Sequence, residues 1–130
     1  MAAPVFTLQT IIDGARNSVV KATFLSGGLD QAITTIVNVA TMNPPAGIHL
    51  KVHKIEYDIT PGGVVRLYWD APPNPIDMLD LNGFDVKDFR RFGGIINNGG
   101  PSATGNILVS TQGFTLGYQY TIILEMIKGV

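Results

Sequence analysis

Hydrophobic and polar residues alternate with a period of two in short segments along the chain. In the run Val64–Trp69, for example, Val65, Leu67 and Trp69 share one parity. Successive side chains of a β-strand point to opposite faces of a sheet, so this alternation predicts strands with one buried face. No segment has the sustained three-and-four-residue spacing of apolar positions that is typical of an amphipathic helix.

Clusters rich in glycine and proline separate these segments. Glycine permits positive φ, and proline fixes φ while removing a backbone donor, so such clusters are typical of turns. Eleven valines, fourteen isoleucines and eleven threonines also favour strands, because β-branched side chains suit a pleated surface. We therefore predict one all-β domain over residues 1–130, a jelly-roll-like antiparallel β-sandwich of about eight strands. The predicted strands are residues 5–12, 18–25, 31–39, 48–59, 64–69, 76–79, 106–111 and 118–127.

The parity of the apolar positions changes within the fourth predicted strand. Ile48 and Leu50 share one parity, whereas Ile55 and Tyr57 share the other. In a regular strand, the later apolar side chains would therefore point to the opposite face of the sheet from the earlier ones. An extra residue within the strand, a β-bulge, would return them to the same face. The sequence therefore predicts a β-bulge near Lys54.

The first and last predicted strands are apolar on both faces. In the last strand, Ile123 and Ile127 lie opposite the stripe that runs from Tyr118 to Met126. The outward face of an antiparallel sandwich is usually polar, so either loops of the same chain or another subunit would cover these residues. The candidate contacts with a second subunit or a capsid are Phe6, Leu8, Phe92, Ile95, Ile96, Ile123 and Ile127.

The charge content narrows the classes of partner. Only 15% of the 130 residues are charged, where about 25% is typical, and the net charge is −1. We therefore expect neither nucleic acid nor membrane as a partner. Interfaces of permanent complexes are depleted in Lys, Glu and Asp, so the composition favours an oligomer. The chain has no cysteine, which excludes disulfides and thiolate chemistry.

Two groups of residues could bind metal, but for each group the sequence favours an interpretation without a metal ion. His49 and His53 are four residues apart, which suits a shared ion on a helix, but on a strand that spacing spans about 13 Å. We expect them on the polar face of a strand. The acidic stretch 77–88 resembles a calcium loop, but placing Gly83 at the sixth position puts Met78 and Phe89 at the first and twelfth. A turn at Gly83 is favoured, and we predict no cofactor.

Other residues suggest binding or catalytic chemistry less directly. Lys87, Arg90 and Arg91 alternate with aromatic residues, as in some sites for single-stranded nucleic acid, but arginines paired with carboxylates are expected. Trp69 could stack on a carbohydrate, although its parity favours the core. Two carboxylates could act as in glycoside hydrolases, but no pair is singled out, so we do not predict an enzyme.

The order of motifs in the second part of the chain resembles a known class of proteins. Trp69-Asp70-Ala71 is followed by the short strand at 76–79, Phe89-Arg-Arg-Phe-Gly-Gly94, the glycine-rich Asn97-Asn98 segment and the runs 104–111 and 117–125. Over residues 48–128 this resembles the small virion structural proteins of tailed bacteriophages that decorate or cement the capsid.

The resemblance implies a non-enzymatic β-sandwich on the outer surface of the virion, without catalytic residues. It also implies a homodimer or homotrimer that contacts the major capsid protein between capsomers. The first 47 residues lie outside the resemblance. The alternative hypothesis is a carbohydrate-binding β-sandwich of a phage tail or adsorption apparatus.

Overall fold

The computed structural model describes residues 4–42 and 49–128, except the side chain of Phe92. These residues form nine strands and no α-helix. Short 3-10 turns lie at Val39–Thr41, Arg90–Phe92 and Gly100–Ser102. The strands are β1 (Val5–Asp13), β2 (Asn17–Leu25), β3 (Thr34–Val37), β4 (Leu50–Ile59), β5 (Val64–Trp69), β6 (Ile76–Leu81), β7 (Phe84–Asp88), β8 (Ile107–Gln112) and β9 (Gln119–Lys128).

The strands form two antiparallel sheets. One has the order β1-β2-β9-β4-β7, and the other has the order β3-β8-β5-β6. The pairs β2–β9, β3–β8, β4–β7 and β5–β6 are nested in the sequence, as if one long hairpin were rolled up. This pairing, alternating between two packed sheets, is the jelly roll, and β1 extends the larger sheet by one strand. The predicted fold class is therefore confirmed.

The core lies between the two sheets, and the alternation in the sequence explains which residues fill it. Val65, Leu67 and Trp69 are fully buried, as their parity predicts. The inward residues of β9, from Tyr120 to Met126, meet them from the other sheet. Together with the inward residues of β2, β4 and β8, these side chains form one hydrophobic core.

The predicted bulge is present in β4. The pairing of β4 with β9 shifts between Val52 and Lys54, so both Val52 and Ile55 are buried although their parities differ. Ile48, the first residue of the predicted parity change, lies outside the described residues.

Some predicted boundaries are wrong. β3 covers only Thr34–Val37 instead of 31–39, and β7 was not predicted. Four of the five residues of β7 are exposed because it is an edge strand, so its sequence has no buried stripe. The turn before it is confirmed, since Gly83 has a φ of 71°, a conformation that glycine adopts without strain.

Tyr68 is buried, although its parity places it with Arg66 on the outward face of β5. Its hydroxyl lies 2.8 Å from Oγ of Ser110, and its cross-strand neighbour Leu108 is also buried. This part of the outward face of the smaller sheet is therefore covered, which alternation alone does not reveal.

Two polar residues before β3 attach that segment to the rest of the sandwich. The carboxylate of Asp30 accepts hydrogen bonds from the hydroxyl of Thr111 and from the backbone N–H groups of Gly113 and Phe114, at 3.2, 3.3 and 2.8 Å. The hydroxyl of Tyr120 donates to Oε1 of Gln31 at 2.7 Å. These bonds anchor the connection between the sheets to the turn after β8.

We predict that Asp30→Ala lowers the free energy of unfolding by about 1–2 kcal/mol, because three donors lose a charged acceptor at a partly exposed site. The measurement is urea denaturation followed by circular dichroism. The control Asp77→Ala removes an exposed carboxylate of β6 and should change stability by less than about 0.5 kcal/mol. Equal effects of the two substitutions would contradict a structural role for Asp30.

The phenol of Tyr120 provides a second test, because burial raises its pKa above the ordinary tyrosine value of 10. As the pH rises through about 10, the unfolded chain releases this proton while the folded chain keeps it, so stability decreases. Tyr120→Phe should therefore lose less stability between about pH 9 and pH 11 than the wild type. The half-buried Tyr118→Phe is the control and should keep the wild-type dependence in the same denaturation series.

Candidate interaction surface

The outward face of the five-stranded sheet is the first candidate surface. Because Tyr120, Ile122, Leu124 and Met126 of β9 are buried, the residues between them point outward, and among these Ile123 and Ile127 are half-buried. The register places Ile123 beside Glu56 of β4. Glu56 in turn lies beside Val86 of β7.

Three apolar side chains on this face form what we call the outer patch: Phe84, Val86 and Ile123. Phe84 is 79% exposed and Val86 is 46% exposed. With Glu56, Asp58 and Thr121 they line a shallow depression of about 160 Å³. Large apolar groups exposed together in this way are typical of a surface that binds another molecule.

Several of the charged groups near the outer patch form ion pairs. Nζ of Lys54 lies 3.2 Å from a carboxylate oxygen of Glu56 and 3.7 Å from one of Glu125. The guanidinium and the backbone N–H of Arg90 donate hydrogen bonds to the carboxylate of Asp88, which lower the pKa of that carboxyl below its ordinary value. The predicted pairing of an arginine in this loop with a carboxylate is thus observed.

The edge strand β1 is the second candidate surface. Phe6 and Leu8 pair with Phe24 and Ala22 of β2, which point into the core, yet Leu8 remains 44% exposed. The smaller sheet ends at β3, so none of the strands within residues 4–42 and 49–128 covers the inner side of β1. Two cavities of about 170 and 370 Å³ lie along this side, and residues of β1 line both.

The predicted contact residues do not form one patch. Phe6 and Ile95 are partly buried against the core, and Ile96 is exposed in the loop that follows. Ile123 and Ile127 lie on the outward face, and Leu8 lies on the inner side of β1. The side chain of Phe92 is outside the described part of the structure.

Sequence reasoning missed Phe84 and Val86 because it interpreted the acidic stretch as a turn. The alternation of apolar Phe84 and Val86 with charged Asp85 and Lys87 was the available signal. Only the pairing with β4 places these residues beside Ile123.

One alternative predicted from the sequence is that Trp69 stacks on a carbohydrate. Trp69 is fully buried in the core, so it cannot stack on a sugar. Its preferred assignment to the core is confirmed.

The two histidines do not share one strand. His49 is exposed and precedes β4, whereas His53 lies at the bulge and lines a cavity with Arg16 and Lys51. Placing both on a strand was therefore wrong. Within residues 4–42 and 49–128, no three His, Asp or Glu side chains cluster in a way that could hold a metal ion. In the same ranges no helix has the length and hydropathy to cross a membrane.

Comparisons with known proteins do not assign the chain to a family. No protein-family model matches the chain, and no curated protein matches it. A cupin domain from Bordetella pertussis Tohama I is 11% identical, with a TM-score of 0.41 over 97% of both chains. A cupin superfamily protein from Desulfitobacterium hafniense DCB-2 is 12% identical, with a TM-score of 0.37 over 97% of this chain and 79% of that one. These TM-scores are too low to support a fold assignment, so the jelly roll is assigned from the strand pairing.

Neighbouring isoleucines of β9 provide a test of the outward face. We predict that Ile123→Asp leaves the chain folded and lowers the free energy of unfolding by less than about 1 kcal/mol, because Ile123 points outward. Ile122→Asp should abolish folding, because Ile122 is fully buried and its substitution places an unpaired charge in the core. Circular dichroism and thermal denaturation measure both, and equal loss of structure would show that Ile123 belongs to the core.

Proposed function

We propose that this chain is a non-enzymatic virion structural protein that decorates or cements a phage capsid as a homo-oligomer. The observation that carries the proposal is the outer patch, where exposed Phe84 and Val86 and half-buried Ile123 lie on one face of the sheet. Desolvating them against a partner would contribute roughly 25 cal/mol per Å² of apolar surface buried.

The filled interior of the jelly roll supports a function at the outer surface. Trp69 and Tyr120, the largest fully buried side chains, lie between the sheets together with leucines and isoleucines from both. Between the central strands the space is therefore occupied by the protein's own side chains, and the cavities of about 170 and 370 Å³ are confined to the β1 side.

The small number of charges is consistent with this function. Near the outer patch, Lys54 forms ion pairs with both Glu56 and Glu125, which partly neutralises these two carboxylates. A decoration protein works by binding energy alone, and many copies on a repeating lattice gain from avidity. The resemblance to capsid decoration proteins over residues 48–128 agrees with these features.

The direct test is cosedimentation of the purified chain with shells assembled from the major capsid protein of the same genome. We expect saturable binding with a fixed number of copies per capsomer and greater resistance of the shells to heat. Phe84→Asp and Ile123→Asp should reduce binding by at least about tenfold, because each places a charge in the outer patch.

Leu116→Asp is the matched control, because Leu116 is an equally large exposed residue that lies outside the patch. It should bind like the wild type. Failure of the wild type to bind shells at micromolar concentration would overturn the proposal. Unchanged binding of both patch variants would overturn the role of the patch.

A further inference from the structure

The free edges of the two sheets differ in a way that singles out β1. A free edge has unpaired backbone N–H and C=O groups, and proteins protect such edges with short strands, charges or proline. β3 has four residues, and β7 has five, of which three are charged. β6 has Asp77 and Asp80, the latter paired with Arg66 at 2.8 Å.

β1 has none of these protections. Its nine residues extend over about 30 Å, with neither proline nor charge from Val5 to Ile12. Val5, Ile11 and Ile12 are each about half exposed, as is Leu8. A long apolar edge of this kind is a template for another strand.

The charge distribution makes a second copy of the chain the best-suited partner. The only charged residue of β1, Asp13, lies at its end and pairs with Nζ of Lys128 at 2.6 Å, and the side chain of Lys128 is 3% exposed. Two copies of β1 therefore meet without repulsion between like charges, and polar Thr7 and Gln9 on one face can oppose each other across the edge.

We infer that β1 pairs antiparallel with β1 of a second copy, around a two-fold axis at Leu8 that is perpendicular to the sheet. Such an axis keeps corresponding faces on the same side, so the two five-stranded sheets become one ten-stranded sheet. With Leu8 on the axis, the two Leu8 side chains meet and Phe6 lies opposite Thr10 of the other copy. The pairing specifies the homo-oligomer of the proposed function as a dimer, and it does not require capsid binding.

The absence of cysteine from the sequence allows a crosslinking test. Residues on such an axis have Cβ atoms about 5 Å apart, within reach of a disulfide. Leu8→Cys should therefore form covalent dimers under mild oxidation at micromolar concentration, and Gln9→Cys, which lies opposite Thr7 of the other copy, should form fewer. Val86→Cys on the opposite edge strand is similarly exposed and should crosslink much less.

A charge substitution tests the pairing of the same edge without a crosslinking reaction. Leu8→Lys should raise the dissociation constant of the dimer by about 100-fold or more, because two lysines would meet at the axis. Val86→Lys should leave it unchanged. Light scattering gives the mass, and circular dichroism verifies that both variants are folded.

The outcomes separate this inference from the proposed function. A monomeric wild type at micromolar concentration overturns self-pairing, and so does a dimer that neither cysteine of β1 crosslinks. A monomer whose Leu8→Lys variant loses shell binding would assign the edge to a capsid strand instead. A β1-linked dimer that does not bind shells supports this inference and overturns only the capsid proposal.

Discussion

The unequal widths of the two packed sheets determine the surfaces of this protein. Five strands pack on four, and a sheet excludes water from a face only where another layer covers it. β1 is the strand without a counterpart, so Leu8 remains accessible although it shares a face with buried Ala22. The same mismatch leaves the hydrogen-bonding edge of β1 open. A jelly roll with four strands in each sheet would not have this additional edge strand.

Nine of the nineteen charged residues take part in ion pairs. Lys128 pairs with Asp13, Arg66 with Asp80, and Arg90 with Asp88. Exposed pairs of this kind contribute little to stability. The low charge content is thus compatible with surfaces that become buried on assembly.

The outer patch lies toward the β7 edge of the five-stranded sheet, and β1 forms the opposite edge. A partner bound at the outer patch would therefore not block a partner paired with β1. A two-fold axis perpendicular to the sheet would leave both outer patches of a dimer facing the same direction. Such a dimer would present two equivalent sites to a repeating lattice, and the second contact would then form at a high effective concentration. The two proposals are therefore geometrically compatible.

The sequence by itself determined the all-β class, the inward stripe of Val65, Leu67 and Trp69, and the bulge in β4, because a period of two and a change of parity are local properties of the chain. Only the tertiary structure decided that Phe84 and Val86 share an outward face with Ile123 across β4, that Tyr68 is covered, and that β1 is an edge strand. These features depend on which strands are neighbours, and strand neighbours in a jelly roll are separated by many residues. Local alternation records which way a side chain points and contains no information about what it meets.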